Sequence, residues 1–140
     1  MISKYKSSDL MKVVQRENEP PHCDDTMHIE MQACTEGVAH AKWFVDERFM
    51  NGVGVVMGGF VTSAADITMA YAIASKLTDE QSFASITLQS TFHRPVFQGE
   101  VEVTAKVERI GSKVAYLVAE LNQNDKLVAN VTSSVMILEQ

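Results

Sequence analysis

The sequence predicts an α+β protein, an antiparallel β-sheet wrapped around one long central helix with a short helix ahead of it. Two observations carry that expectation. Residues 60–77 are apolar on nearly every side, and Asp66 is their only charge before Lys76. A helix of that kind must be covered all round by the rest of the protein. The segments on both sides of it alternate apolar and polar residues with a period of two, as strands with one buried face do. Only an antiparallel sheet curled around the helix accounts for both patterns.

The elements follow in order. Ser7 to Glu17 reads as a short amphipathic helix with Ser7 or Ser8 as its cap and Leu10, Val13 and Val14 as its apolar stripe. Glu19-Pro20-Pro21 stops it. From Thr26 the period changes to two, with Met27, Ile29, Met31 and Ala33 on one face. A second alternating run, Ala39 to Val45, follows the turn at Glu36-Gly37, so the two form a hairpin. Phe49 to Gly59 is glycine-rich and aperiodic, and it leads into the central helix, Phe60–Leu77. After Asp79-Glu80 four strands remain. The first places Ile86, Leu88, Ser90 and Phe92 on one face, and Val101, Val103, Ala105 and Val107 mark the second. Val114–Leu121 and Leu127–Leu138 complete the set, joined through Asn122-Gln123-Asn124-Asp125.

The 140 residues suit one domain, assigned to 1–140, and bury about two-thirds of the unfolded surface. Hydrophobic residues make up 46 % and charged residues 21 %, the balance of a soluble globular chain. A formal charge of -6 argues against nucleic acid or an anionic membrane as the main partner. Two unpaired cysteines, Cys23 and Cys34, and eight methionines fit a reducing cytoplasm. The first 18 residues carry no apolar run of signal-peptide length.

The chemistry concentrates between Asn51 and Asp66. Gly58 and Gly59 stand at the mouth of the central helix, whose first N–H groups have no intrahelical partner. Such amides can hold an oxyanion, as acyl transfer requires, and the helix dipole adds to the attraction. The competing reading is that the two glycines allow a loop to pack tightly on a sheet. Asp66 likewise has two readings. A carboxylate in an apolar run costs several kcal/mol if buried without partners, so it is either satisfied locally, on a strip beside Thr62 and Ser63, or used as a base. Spacing adds a constraint. Asp66 lies about 12 Å along the helix from Gly58, too far for both to act on one carbonyl carbon. A second helix running antiparallel would bring its Asp66 to this Gly58, so the spacing favours a site shared across a twofold dimer.

The ordered pattern Asn51-x-x-Gly54-x-x-Met57-Gly58-Gly59 with Asp66 seven residues on resembles the hotdog-fold thioesterases of the phenylacetate-degradation type. Ser85-Ile-Thr-Leu-Gln-Ser-Thr-Phe92-His-Arg94-Pro95 and Gly99-Glu100-Val101 extend the likeness, which covers roughly Thr26 to Leu138. The resemblance implies a hotdog fold, dimers that pair into tetramers, and hydrolysis of acyl-CoA thioesters without a cofactor. It implies Gly58, with Gly59, as oxyanion donor and Asp66 of the partner subunit as base or nucleophile. Asn51 would hold the thioester or the attacking water, with Ser85 beside that water. Met57 stands where the family often has His and would contact substrate. A thiolate leaves without a dedicated acid, since an alkyl thiol has a pKa of roughly 8.5.

Arg94, Arg109 and Lys113 are candidates for the phosphates of CoA, a polyanion on an acidic protein. His22-Cys23-Asp24-Asp25 with His28 holds metal-ligand residue types, but the spacing fits no standard zinc pattern, and no metal is assigned. His93 is expected at a structural or rim position. The alternative to an enzyme is a hotdog module that binds an acyl-CoA or another acyl ligand without turning it over; a dehydratase of the same fold is weaker, because its chemistry calls for a His near Met57.

Overall fold

The computed structural model describes residues 4–139, so residues 1–3 and 140 of the domain assigned to 1–140 lie outside the described residues. The elements run α1 (Ser7–Val14), α2 (His22–Met27), β1 (Ile29–Thr35), β2 (Val38–Val45), a 3-10 turn (Glu47–Phe49), α3 (Gly58–Ala74), β3 (Gln81–Ser85), β4 (Gln89–Phe92), β5 (Gly99–Ile110), β6 (Val114–Gln123) and β7 (Lys126–Glu139). Every strand pairing is antiparallel, in the order β1-β2-β5-β6-β7-β3, with β4 also on β7. The sheet curls around α3, as the two periodicities predict. Its inner face, including Trp43, Val101, Val103, Leu117, Leu121 and Val131, is buried against the helix.

Two predicted turns are where the sequence puts them, and each works through left-handed backbone. Glu36 and Gly37 have φ of 46° and 84°. Asn124 and Asp125 have φ of 53° and 63°, which narrows the second connection to a two-residue hairpin flanked by the pair Gln123↔Lys126. Asn and Asp tolerate that region better than most residues.

Five expectations are corrected. The first helix stops at Val14 and not at Glu17, because Arg16 adopts φ 65°. Neither Ser7 nor Ser8 caps it. The Lys6 amide donates to Asp9 Oδ2 at 2.9 Å, while Ser8 gives both its amide and its hydroxyl to Asp79, at 2.8 and 2.7 Å. The alternation read from Thr26 hides a second helix, α2, which begins after Pro21, carries Asp24 and Asp25 in its first turn and ends at left-handed His28. In β1 the alternation breaks at a bulge between Met31 and Ala33, which turns Ala33 outward.

The single strand predicted from Ser85 to Phe92 is two strands, the fourth correction. Five residues from Ser85 to Gln89 face four on β7, from Val135 to Thr132. The extra residue is absorbed where the amides of Ile86 and Thr87 both donate to the Ser134 carbonyl. The apolar face expected there is not covered within the chain, since Ile86, Leu88 and Phe92 are 52 %, 39 % and 53 % exposed. Finally, α3 begins at Gly58, so the glycine pair is its first turn. It is not covered on all sides either: Thr62, Ser63, Asp66, Ile67 and Ala70 form a half-buried strip down one face. Among the described residues no helix is long and apolar enough to cross a membrane.

Candidate active site

The start of α3 is held by aromatic packing. Trp43 of β2, fully buried, meets Phe49 edge-on at 5.6 Å, and Phe49 meets Phe60 at 5.1 Å. The loop between them is tied by Asn51, whose Oδ1 accepts the amides of Val53 at 3.0 Å and Val55 at 3.2 Å. Met57, 47 % exposed, is the residue before the helix and provides no side-chain cap. The amides of Gly58 and Gly59 are therefore first-turn donors without intrahelical acceptors.

Position 58 leaves little free room for a side chain. A Cβ there would meet Phe92 Cζ at 3.0 Å. Phe92 and Gly58 line one cavity of about 340 Å³, together with Val61 and the segment from His93 to Val96. That segment is braced by Gln123, whose Nε2 donates to the Phe97 carbonyl at 2.7 Å and whose Oε1 accepts the Phe97 amide at 3.0 Å. Arg94 donates Nη1 to the Leu127 carbonyl at 2.7 Å. His93 Nε2 is 2.6 Å from Asn130 Oδ1.

Asp66 opens on a different cavity of about 450 Å³. Burial raises its carboxyl pKa above 3.8, and no partner among the described residues offsets that rise. The neighbouring hydroxyls are engaged elsewhere: Ser63 donates to the Gly59 carbonyl at 2.9 Å, and Thr62 Oγ1 lies 2.6 Å from Ser90 Oγ. Ser85, at the end of β3, lines the same cavity as Asp66. The structure thus brings Asp66 to Ser85 and Gly58 to Arg94, in two separate cavities of one chain. Asn51, Met57, Arg109 and Lys113 line neither of them. Arg109 stands exposed at a bulge of β5, and Lys113 in the turn before β6.

Sequence reasoning missed one buried polar pair. Tyr71 Oη donates to Asp24 Oδ2 at 2.6 Å, and both line the Asp66 cavity. Burial raises the Asp24 pKa although the Tyr71 bond opposes it, and burial followed by the Asp24 contact pushes the Tyr71 hydroxyl well up. Without α2 in the prediction, nothing in the sequence joins residue 24 to residue 71. The neighbouring ligand types do not assemble further: among the described residues no group of three or more His, Cys, Asp or Glu is placed to hold a metal.

The model of the thioesterase superfamily matches residues 53–129. A protein of Archaeoglobus fulgidus, provisionally named an esterase, is 32 % identical over 113 residues, covering 79 % of this chain and 70 % of that protein. A Pseudomonas aeruginosa protein, also provisionally named an esterase, is 28 % identical over 89 residues, 63 % of this chain and 66 % of the relative's length, just under two-thirds. The crystal structure of a phenylacetic acid degradation-related protein from Ralstonia eutropha, provisionally named a thioesterase, superposes with a TM-score of 0.86 at 28 % identity, covering 91 % of this chain and 98 % of that one. The helix wrapped by its sheet is the hotdog fold.

Proposed function

The chain belongs to the thioesterase superfamily, and on that footing we propose that it hydrolyses an acyl- or aryl-acyl-CoA thioester to the free acid and CoA. The observation that carries the reading is Asp66, a half-buried carboxylate whose pKa is raised by burial and which has no structural partner among the described residues. A residue that costs stability and satisfies no neighbour has the profile of a base. The half-buried strip of α3 and the exposed Ile86, Leu88 and Phe92 support a twofold dimer, which itself pairs into a tetramer. In that assembly the partner's Asp66 meets this chain's Gly58.

The steps balance as hydrolysis. Asp66 takes a proton from water as the oxygen adds to the thioester carbon. The N–H groups of Gly58 and Gly59 stabilise the oxyanion. The tetrahedral intermediate then collapses, the C–S bond breaks and CoA leaves as thiolate. Attack by the carboxylate itself, through an anhydride that water cleaves, gives the same products. Ser85 sits beside the water, Asn51 and Met57 contact the thioester, and Arg94, Arg109 and Lys113 take the CoA phosphates. The whole of 1–140 acts as one domain in the cytoplasm, without cofactor.

A non-catalytic acyl-CoA binding module is the second reading. It is favoured by Asn51, whose Oδ1 is already engaged by its own loop. Thiol release from short, long and aromatic acyl-CoAs separates the two. Turnover of at least one establishes the enzyme, and tight binding with no turnover of any establishes the module. Light scattering at micromolar concentration is expected to report at least twice the chain mass; an active monomer would refute the shared site.

A further inference from the structure

The sheet is open, and its two ends differ in what covers them. β1 and β3 are the terminal strands, and α3, which packs mainly on β5, β6 and β2, touches both of them as well. The N-terminal segment is packed along this seam. α1 and α2 both contact α3 and β1, and Ser8 pins α1 to Asp79, just ahead of β3. The segment does not fill the seam. What remains is the 450 Å³ cavity, with Leu10 and Cys23 on the N-terminal side, Ile67 and Phe83 opposite them, and Asp66 with Ser85 also on its wall. Asp24 and Tyr71 are locked together on the same wall, and Asp24 is 2 % exposed.

We propose that this N-terminal segment is the specificity wall of the acyl pocket: the acyl group enters past Asp66 and Ser85, runs along α3 and β3, and its far end stops against Leu10, Cys23 and the Asp24–Tyr71 pair. The inference rests on the thioesterase reading above and deepens it by naming what limits the substrate. The pocket selects acyl groups that are apolar along their length and end before the buried carboxylate. Each methylene laid against apolar wall is worth about 0.8 kcal/mol, or roughly fourfold in kcat/KM. One methylene too many meets Asp24, and an apolar end offers nothing to replace the hydration that such a group requires. The profile of kcat/KM against chain length therefore rises about fourfold per methylene, reaches a maximum and falls.

The test is that profile, measured with saturated acyl-CoAs of increasing length on the full chain and on two variants acting in opposite senses. Leu10→Ala lengthens the pocket and is expected to move the maximum about two methylenes longer. Cys23→Leu, on an exposed residue of α2 whose side chain lines the cavity, narrows it and is expected to move the maximum shorter. Shifts in opposite directions support the wall. Activity in the native chain with the same maximum in both folded variants overturns it and leaves the thioesterase reading intact. Absence of turnover on every thioester by the native chain overturns the thioesterase reading instead. Should Leu10→Ala fail to fold, the Cys23→Leu shift decides the matter alone.

Discussion

Replacing Asp66 with Asn separates what the carboxylate does for chemistry from what it costs the fold. Burial holds its folded pKa above 3.8, so the folded state keeps the proton more tightly than the unfolded chain. The stability linked to that proton is fully present below the unfolded value and is lost as pH rises through the folded one. Above that window the ionised group is a net cost. The side chain is half-buried and partly solvated, so the cost is about 1 kcal/mol and not the several kcal/mol of a sealed carboxylate. Asn has the same shape and no charge. At neutral pH Asp66→Asn is therefore expected to raise Tm by about 4 °C for a chain of this size, with protein concentration held fixed. The gain should vanish as pH falls toward 3.8. In the same preparation kcat should drop at least ~100-fold, the scale of a lost general base, with acyl-CoA binding retained. A variant both slower and less stable at neutral pH would make Asp66 a structural residue. Unchanged turnover would mean that another carboxylate is the base.

The pH profile of kcat/KM provides a second check: its acidic limb should lie above the ordinary carboxylate value of 3.8, because the base works only when ionised, and Asp66→Asn should abolish it. Gly58→Ala puts a methyl 3.0 Å from the end of the Phe92 ring, which is half-exposed and able to swing away. Only the far end of that flexible ring has to give, so chemical denaturation should show little change while kcat falls about tenfold; a large loss of stability would show that the ring cannot move. Tyr71→Phe removes the 2.6 Å bond to buried Asp24 and should cost about 2 kcal/mol near neutral pH. That penalty should shrink in acid, where Asp24 is protonated and needs no donor, and equal losses at both pH values would count against the pair.

Much of this protein is written in local pattern. The unbroken apolar run around Asp66 required a wrapped helix, and period-two runs required strands, because each follows from side-chain direction along one element. The hairpins at Glu36-Gly37 and Asn124-Asp125 are readable for the same reason: Gly37, Asn124 and Asp125 tolerate the left-handed backbone that they need. The eight-residue interval from Gly58 to Asp66 likewise sets the candidate oxyanion donor and the carboxylate about 12 Å apart along one helix.

Only the tertiary structure decided the rest. The break between β3 and β4 depends on Ser134, a residue 48 positions after Ile86 whose carbonyl takes two amides at once. Helix α2 is six residues long, too short to show a period or to stand alone, and exists through its packing against α3 and β1. The division of Gly58 and Asp66 between two cavities, the Asp24–Tyr71 lock and the open seam behind α1 arise where distant segments meet. A sequence states what each side chain prefers along its own element; which side chains share a cavity depends on how the sheet curls, and no local period contains that.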